Sequence, residues 1–507
     1  MRIADGAAAT KLSRGLWVGA LLVMTGLAAL LTVPGLGEMP FSRDEVASIT
    51  DAHRSLGGTW DVVRHREANM WPYYLLLNGW TRLGTGETFV RLPTALFAVA
   101  TVPLAMVLAR RTFGDAAAVA CGLGLALSTM LLDAGQEARA YALVALLAVA
   151  STLLLVEGVR RPRTGLWVAY GLVAALMVHC HMLSSLVIVA QLASLLFLPR
   201  AEIPFRELRI GVVVLAVGVA PMAFYALTKD SGQTSWIPAV DAYAVGGFAR
   251  SATGGDALIA LYALLFAAVA AGLVSRLRTS GRSRETWLEA LVLLWVVLPP
   301  AALAIISVVK PLFTTQYLTG VVPGVALLLG LAVARLRPPR LALGAGALVL
   351  ALTAVSAARH GPPFPKSATG KAAAQYVLER ARPGDGVAYG PAFTRVEFDW
   401  YLRRLAPGRP GAVVPVDLDV LPGSTPQTEG DLFAREAPAA DVARRMAGAP
   451  RIWLISVPNV VWHPTPEPVL AVGPAILRRS FTASQTQRFG DLTVRLYTRR
   501  VAAPPHT

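Results

Sequence analysis

The sequence predicts a mainly α-helical, polytopic membrane bundle of about eleven spans, followed by a small α/β domain at the C-terminus. Three observations predict it. Of the 507 residues, 55% are hydrophobic and 15% charged, and the mean hydropathy is +0.54. That is more apolar than a chain with a water-facing surface can be, which excludes a soluble enzyme. Apolar runs of membrane-crossing length recur through the first 358 residues, and after that point the composition turns polar and rich in Pro and Gly.

The formal net charge of +16 would also suit a nucleic-acid binder. The basic residues, however, lie in short clusters between apolar runs, where membrane topology accounts for them, so no nucleic acid is expected. The two cysteines, Cys121 and Cys180, both sit inside apolar runs. Two cysteines cannot build a disulfide framework or a four-ligand zinc site.

A crossing helix needs roughly 20 apolar residues, fewer where the bilayer thins. Runs that qualify lie near residues 15 to 34, 91 to 109, 115 to 132, 140 to 156, 165 to 181, 182 to 199, 210 to 227, 256 to 275, 287 to 309, 317 to 334 and 340 to 358. Lys11 and Arg14 ahead of the first run resemble a signal peptide, but no small-residue cleavage site follows, so it reads as a retained span. Lys and Arg accumulate in short cytoplasmic loops. The even-to-odd connections carry fifteen of them, at 110 and 111, 160 to 163, 200 to 209, 276 to 284 and 335 to 340. The short odd-to-even loops carry four, Arg139, Lys229, Arg250 and Lys310. The expected topology is a multi-pass cell-membrane protein with a cytoplasmic N-terminus. The long first loop, residues 35–90, and the terminal domain, 359–507, are then extracytoplasmic, flanking a transmembrane domain that spans 1–358.

In the terminal segment, turn signals such as Arg382-Pro383-Gly384-Asp385 separate short apolar runs. Runs at 387 to 389, 412 to 416, 452 to 457 and 492 to 497 read as strands, and 371 to 380 reads as a helix.

Candidate chemistry begins in the first outer loop with Ser42-Arg43-Asp44-Glu45. A carboxylate beside a partly desolvated pocket can accept a proton from an attacking hydroxyl. Ser42 followed by Glu45 is equally a helix capping box, and the two roles are compatible because a cap would hold the acids in place. Further on, Asn69 to Trp80 mixes aromatics and aliphatics over a length too short to span, as an interfacial helix would, whether it flanks the entrance for a lipid-borne substrate or is a plain membrane anchor. Glu137 and Arg139 lie between the third and fourth runs, where charges so near hydrocarbon need a partner or a polar cavity. Lys310 stands at the outer edge of the ninth run, suited to a phosphate or to simple snorkelling.

His179-Cys180-His181 invites a metal reading, but residues two apart on a helix point about 200° apart. The two imidazoles are instead expected as outer-surface polar residues. Asp417-Leu418-Asp419 resembles the acidic motif of nucleotide-sugar enzymes, yet it lies in a strand-like stretch of the outer domain and reads as a decoy. No phosphate-cradling loop, dinucleotide fingerprint or H-E-x-x-H occurs. No metal ligand set is named, although Asp44 and Glu45 leave a divalent ion open.

Taken in order, Arg43-Asp44-Glu45, Trp71-Pro72-Tyr73-Tyr74, Val90-Arg91-Leu92-Pro93-Thr94-Ala95-Leu96-Phe97 and Gln136-Glu137-Ala138-Arg139-Ala140-Tyr141 resemble the polytopic C-type-fold membrane glycosyltransferases. The resemblance is to the protein-O-mannosyltransferase and aminoarabinose transferase superfamily, including its actinobacterial mannosyltransferase-like relatives, and it covers about the first 145 residues. It continues weakly from 310 to 323, where the family tends to carry Arg-Tyr and this chain has Gln316-Tyr317.

The resemblance implies transfer of a sugar, a hexose such as mannose or a pentose such as arabinose, from a polyprenyl phosphate donor to an acceptor hydroxyl outside the membrane, with inversion. Nucleotide sugars are cytoplasmic, so an outward-facing transferase needs a donor carried across in lipid. Asp44 would be the base, with Glu45 positioning the hydroxyl or holding Asp44. Arg139 and Lys310 would offset charge on the departing phosphate. Glu137, Arg91, Gln316, Tyr317 and Tyr73 would contact substrate, Arg91 being as well suited to a structural ion pair. The partners implied are the lipid-linked donor, membrane lipids and a glycan, lipid or protein acceptor. The rival from another class is a transporter or flippase of lipid-linked sugars, since many spans with a few buried charges also describe carriers.

Overall fold

The computed structural model describes residues 12–65, 69–228, 237–335, 339–359, 369–429, 434–457 and 468–500. Among them the helices are α1 (Arg14–Thr32), α2 (Arg43–Ala52), α3 (Leu56–His65), α4 (Trp71–Trp80), α5 (Glu87–Phe113), α6 (Asp115–Ala126) and α7 (Thr129–Gly135). Then come α8 (Tyr141–Arg160), α9 (Thr164–Cys180), α10 (Ser185–Ser194), α11 (Phe205–Thr228), α12 (Ala242–Thr253), α13 (Asp256–Ser280) and α14 (Arg284–Val309). The last are α15 (Val322–Arg335), α16 (Pro339–Arg359), α17 (Thr369–Leu378), α18 (Arg395–Leu405), α19 (Pro426–Glu429), α20 (Ala439–Gly448) and α21 (Pro468–Ser480).

The chain divides into two units. The first takes residues 1–36, 67–73 and 88–363, and the second takes 37–66, 74–87 and 364–507, so most of the long first loop groups with the C-terminal segment.

Each of the eleven apolar runs falls on helical chain in the first unit. Among the described residues seven helices are long and apolar enough to cross a membrane, and α6 with α7 makes an eighth candidate bent by 58°. Ser128 restarts the chain after that bend, its side chain accepting from the Leu131 N–H. Of the cations counted for topology, Lys229 and Arg337 lie outside the described residues.

Between apolar helices there is no water to expel, so close backbone approach through small residues supplies the attraction. At Gly171 on α9 an added Cβ would lie 2.6 Å from the Gly211 carbonyl on α11, and at Gly330 on α15 it would lie 2.5 Å from the Ala117 carbonyl on α6. Buried polar groups are tied to one another: Gln191 donates to the Ser151 and Thr152 hydroxyls at 2.9 Å each and accepts from Tyr170 at 3.1 Å. The basic helix ends also meet. Glu289, fully buried on α14, holds Arg276 of α13 and, at 3.1 Å, Arg335 of α15, while Arg111 of α5 reaches Glu157 of α8 at 3.0 Å. These arginines come from three of the even-to-odd connections, the residues whose count set the expected topology.

The second unit contains a five-stranded sheet ordered β2-β1-β3-β5-β4, with β1 (Gly386–Gly390), β2 (Val416–Asp417), β3 (Arg451–Ser456), β4 (Phe481–Phe489) and β5 (Leu492–Arg499). β1 runs parallel to β2 and β3, and β3, β5 and β4 pair antiparallel. Ala388, Ile452, Val442, Met446 and Phe481 are among the side chains that build its core. The run expected as a strand at 412 to 416 has no regular structure before Val416, where it joins the sheet.

Candidate active site

In the second unit, α2 begins as the capping box requires. The Ser42 hydroxyl accepts from the Glu45 N–H at 3.3 Å, and the Glu45 carboxylate accepts from the Ser42 N–H at 2.8 Å. Both acids lie in the first turn, where the helix dipole favours negative charge. The box separates them: Glu45 is 2% exposed, whereas Asp44 is exposed to solvent. The segment leading in is anchored. The Phe41 N–H donates to Tyr401 Oη at 2.6 Å, the Phe41 ring meets Trp400 edge-on at 5.4 Å, and the Arg43 guanidinium stacks 4.1 Å above Phe393. Tyr401 in turn donates to Glu87 at 3.3 Å, and Lys371 pairs with the same carboxylate at 3.0 Å. Burial pushes the Glu87 carboxyl up. Its own backbone N–H, the Lys371 hydrogen bond and charge, and the Arg404 charge outweigh that, and its pKa lies below the ordinary value.

In the first unit, a second cluster forms around Arg139. Its guanidinium lies 5.9 Å from the Tyr141 ring, Tyr141 lies 5.8 Å from His181, and His181 lies 4.6 Å from Tyr317. The Arg139 N–H closes a tight turn on the Glu137 carbonyl at 2.7 Å, and the Glu137 side chain is 7% exposed. Gln316 and Tyr317 lie in a 3₁₀ turn, Thr315–Val321, at the start of α15, and Lys310 ends α14 with an exposed side chain. Arg91, 3% exposed, donates to the Leu36 carbonyl at 2.7 Å, a structural contact with the turn that ends α1.

On the Trp71–Trp80 helix, Tyr73 and Tyr74 are 0% and 1% exposed, while Trp71 and Trp80 keep part of their surface open. One expectation is corrected: His179 and His181 are not outer-surface residues. His179 accepts from Trp71 Nε1 at 2.9 Å through Nδ1, which leaves Nε2 to donate to the Gly218 carbonyl at 2.8 Å. His181 is 2% exposed. The two rings do not converge, and among the described residues no group of three or more His, Cys, Asp or Glu could hold a metal ion.

Asp417 and Asp419 are occupied structurally. Arg395 reaches Asp417 at 3.0 Å and Asp419 at 3.5 Å, and Asp419 also accepts from the Tyr389 N–H at 2.7 Å. Burial first, and Asp417 next to it, push the Asp419 carboxyl well above the ordinary range.

Of the residues singled out from sequence, the structure brings Arg139 and Tyr317 into one cluster and places the acid pair on one capped turn. It adds His181, whose signal was masked by its metal-like spacing, and Tyr401, which carried none.

The fold is the C-type glycosyltransferase fold, as the similar solved structures show. Residues 71–227 match the family described as dolichyl-phosphate-mannose-protein mannosyltransferase. The crystal structure of ArnT from Cupriavidus metallidurans in the apo state is similar over 94% of this chain and 98% of that one, with a TM-score of 0.59 at 16% identity. The same protein bound to undecaprenyl phosphate gives a TM-score of 0.60 at 15% identity, over 96% and 98% of the two chains. The Archaeoglobus fulgidus oligosaccharyltransferase gives 0.50 at 13% identity, over 86% of this chain and 68% of that one. Among curated proteins nothing matches.

Proposed function

We propose that the protein transfers a sugar, mannose or another hexose or a pentose, from a polyprenyl phosphate donor to an acceptor hydroxyl on the extracytoplasmic face of the membrane. The observation that carries the reading is the capped start of α2, where the Ser42–Glu45 box holds the first turn and the Asp44 side chain on that turn faces solvent. The bound undecaprenyl phosphate in the similar ArnT structure supports a lipid phosphate as the leaving group.

In this mechanism Asp44 takes the proton of the acceptor hydroxyl as its oxygen attacks the anomeric carbon. The bond from that carbon to the phosphate oxygen breaks, polyprenyl phosphate leaves and the anomeric centre inverts. Glu45 acts by fixing Asp44. Arg139 and Lys310 meet the developing phosphate charge, which a preorganised cation stabilises more in a water-poor site than in bulk. Gln316, Tyr317, Glu137 and Tyr73 line the donor, with Arg91 holding the first turn. The distribution of Lys and Arg supports a cytoplasmic N-terminus, eleven crossings and an outward-facing domain from 359 to 507.

Purified protein in nanodiscs, supplied with undecaprenyl phosphate mannose and an envelope extract, is expected to release undecaprenyl phosphate and label an acceptor. Asp44→Asn is expected to lower both by about a hundredfold or more. Transfer at an undiminished rate after this substitution refutes the base, and sugar crossing a vesicle without an acceptor favours a carrier instead.

A further inference from the structure

Among the buried polar side chains that the mechanism leaves without a task is His181. His181 is 2% exposed, and neither ring nitrogen has a hydrogen-bond partner among the described residues. Burying such a group unpaired is costly, so native proteins rarely tolerate it without a function or a ligand to answer it. Its surroundings are not those of an inert core histidine. Tyr141 and Tyr317 flank the ring at 5.8 and 4.6 Å, and Arg139 is close enough for its charge to act on the imidazole. Tyr317 is itself only partly buried, on a short 3₁₀ turn, so a small rearrangement there reaches the ring.

The chemistry of the two nitrogens selects the ligand. An imidazole offers one donor and one acceptor. A phosphate has only acceptor oxygens and would answer one of them, and Arg139 is the better partner for it. A hydroxyl donates and accepts, so adjacent sugar hydroxyls answer both.

We propose that His181 binds hydroxyls of the sugar carried by the lipid donor, between Tyr141 and Tyr317 and beside the Arg139 that meets its phosphate. The assignment rests on the polyprenyl phosphate reading above and deepens it. His181 is then a sugar-recognition residue, and it distinguishes the loaded donor from the spent carrier, which lacks the hydroxyls.

The test compares two lipids on the full-length protein in nanodiscs: undecaprenyl phosphate bearing mannose, glucose or arabinose, and bare undecaprenyl phosphate. His181→Phe keeps a flat ring between the tyrosines and removes both nitrogens; His181→Gln keeps one donor and one acceptor. His181→Phe is expected to weaken the preferred sugar-bearing lipid about tenfold, as loss of two net hydrogen bonds predicts, and to leave the bare lipid unchanged. His181→Gln is expected to recover most of the loss. In the unsubstituted protein, the ring ¹⁵N resonances of His181 should move on adding the sugar-bearing lipid and stay in place with the bare one. Equal loss for both lipids, no loss for either, or ring resonances that ignore the sugar overturns the assignment while leaving the transferase reading intact. If the unsubstituted protein binds neither lipid, the transferase reading itself falls and this assignment with it.

Discussion

The backbone N–H of Phe41 and the hydroxyl of Tyr401 lie 2.6 Å apart across 360 residues of sequence. Through this contact the segment entering the acid-bearing helix is held by α18, and the same hydroxyl donates its own hydrogen bond to Glu87. Tyr401→Phe removes both hydrogen bonds and strands a buried N–H, a change expected to cost about 1–3 kcal/mol. Thermal unfolding would measure the loss, and transfer assays should show the rate falling further than that of a variant equally destabilised elsewhere.

The cap and the base are separable by substitution. Asp44→Asn keeps the helix and is expected to lower turnover by about 10²–10⁴-fold with little change in melting temperature. Glu45→Ala breaks the capping box and should cost about 1 kcal/mol of stability. Glu45→Gln, able to accept the same hydrogen bond from Ser42, should recover most of it. If Glu45→Gln abolishes turnover at unchanged stability, the glutamate takes part in the chemistry directly.

Glu87 sets a pH dependence. Its folded pKa lies below the unfolded one, so the unfolded chain binds the proton first, and the stability it contributes is present above about pH 4.5 and lost as pH falls through the depressed folded value. Lys371→Met removes the hydrogen bond and the charge that help depress it. Melting curves between pH 3 and pH 6, on the order of the ordinary carboxyl range, should show a smaller acid loss for this variant than for the native chain.

The Arg395 pairing with Asp417 and Asp419 is nearly dry, with side-chain exposures of 7%, 11% and 4%. Arg395→Met leaves two carboxylates uncompensated and is expected to destabilise the fold by about 3–5 kcal/mol. Chemical denaturation would read it. Replacing all three residues by apolar ones of similar volume should restore much of the loss, as expected if the cluster is structural rather than catalytic.

Sidedness is open to direct labelling. A cysteine placed at Asp44 is expected to react with a membrane-impermeant maleimide added to intact cells, and one placed at Arg278 only after permeabilisation.

The apolar runs, the acid pair with its cap, and the change of character after residue 358 were legible in sequence because each depends on neighbours within a turn or a span. Span hydropathy and the Ser42-to-Glu45 spacing are local quantities. The edge strand β4 was not legible: Phe481–Phe489 is almost wholly polar between its end residues, and its conformation comes from pairing with β5 rather than from an apolar pattern. Which histidine of a pair lacks partners, and that Tyr401 grips the chain at Phe41, were likewise decided only in three dimensions. Those outcomes depend on contacts between residues tens to hundreds apart, and no pattern within a single helix or strand encodes where such partners will meet.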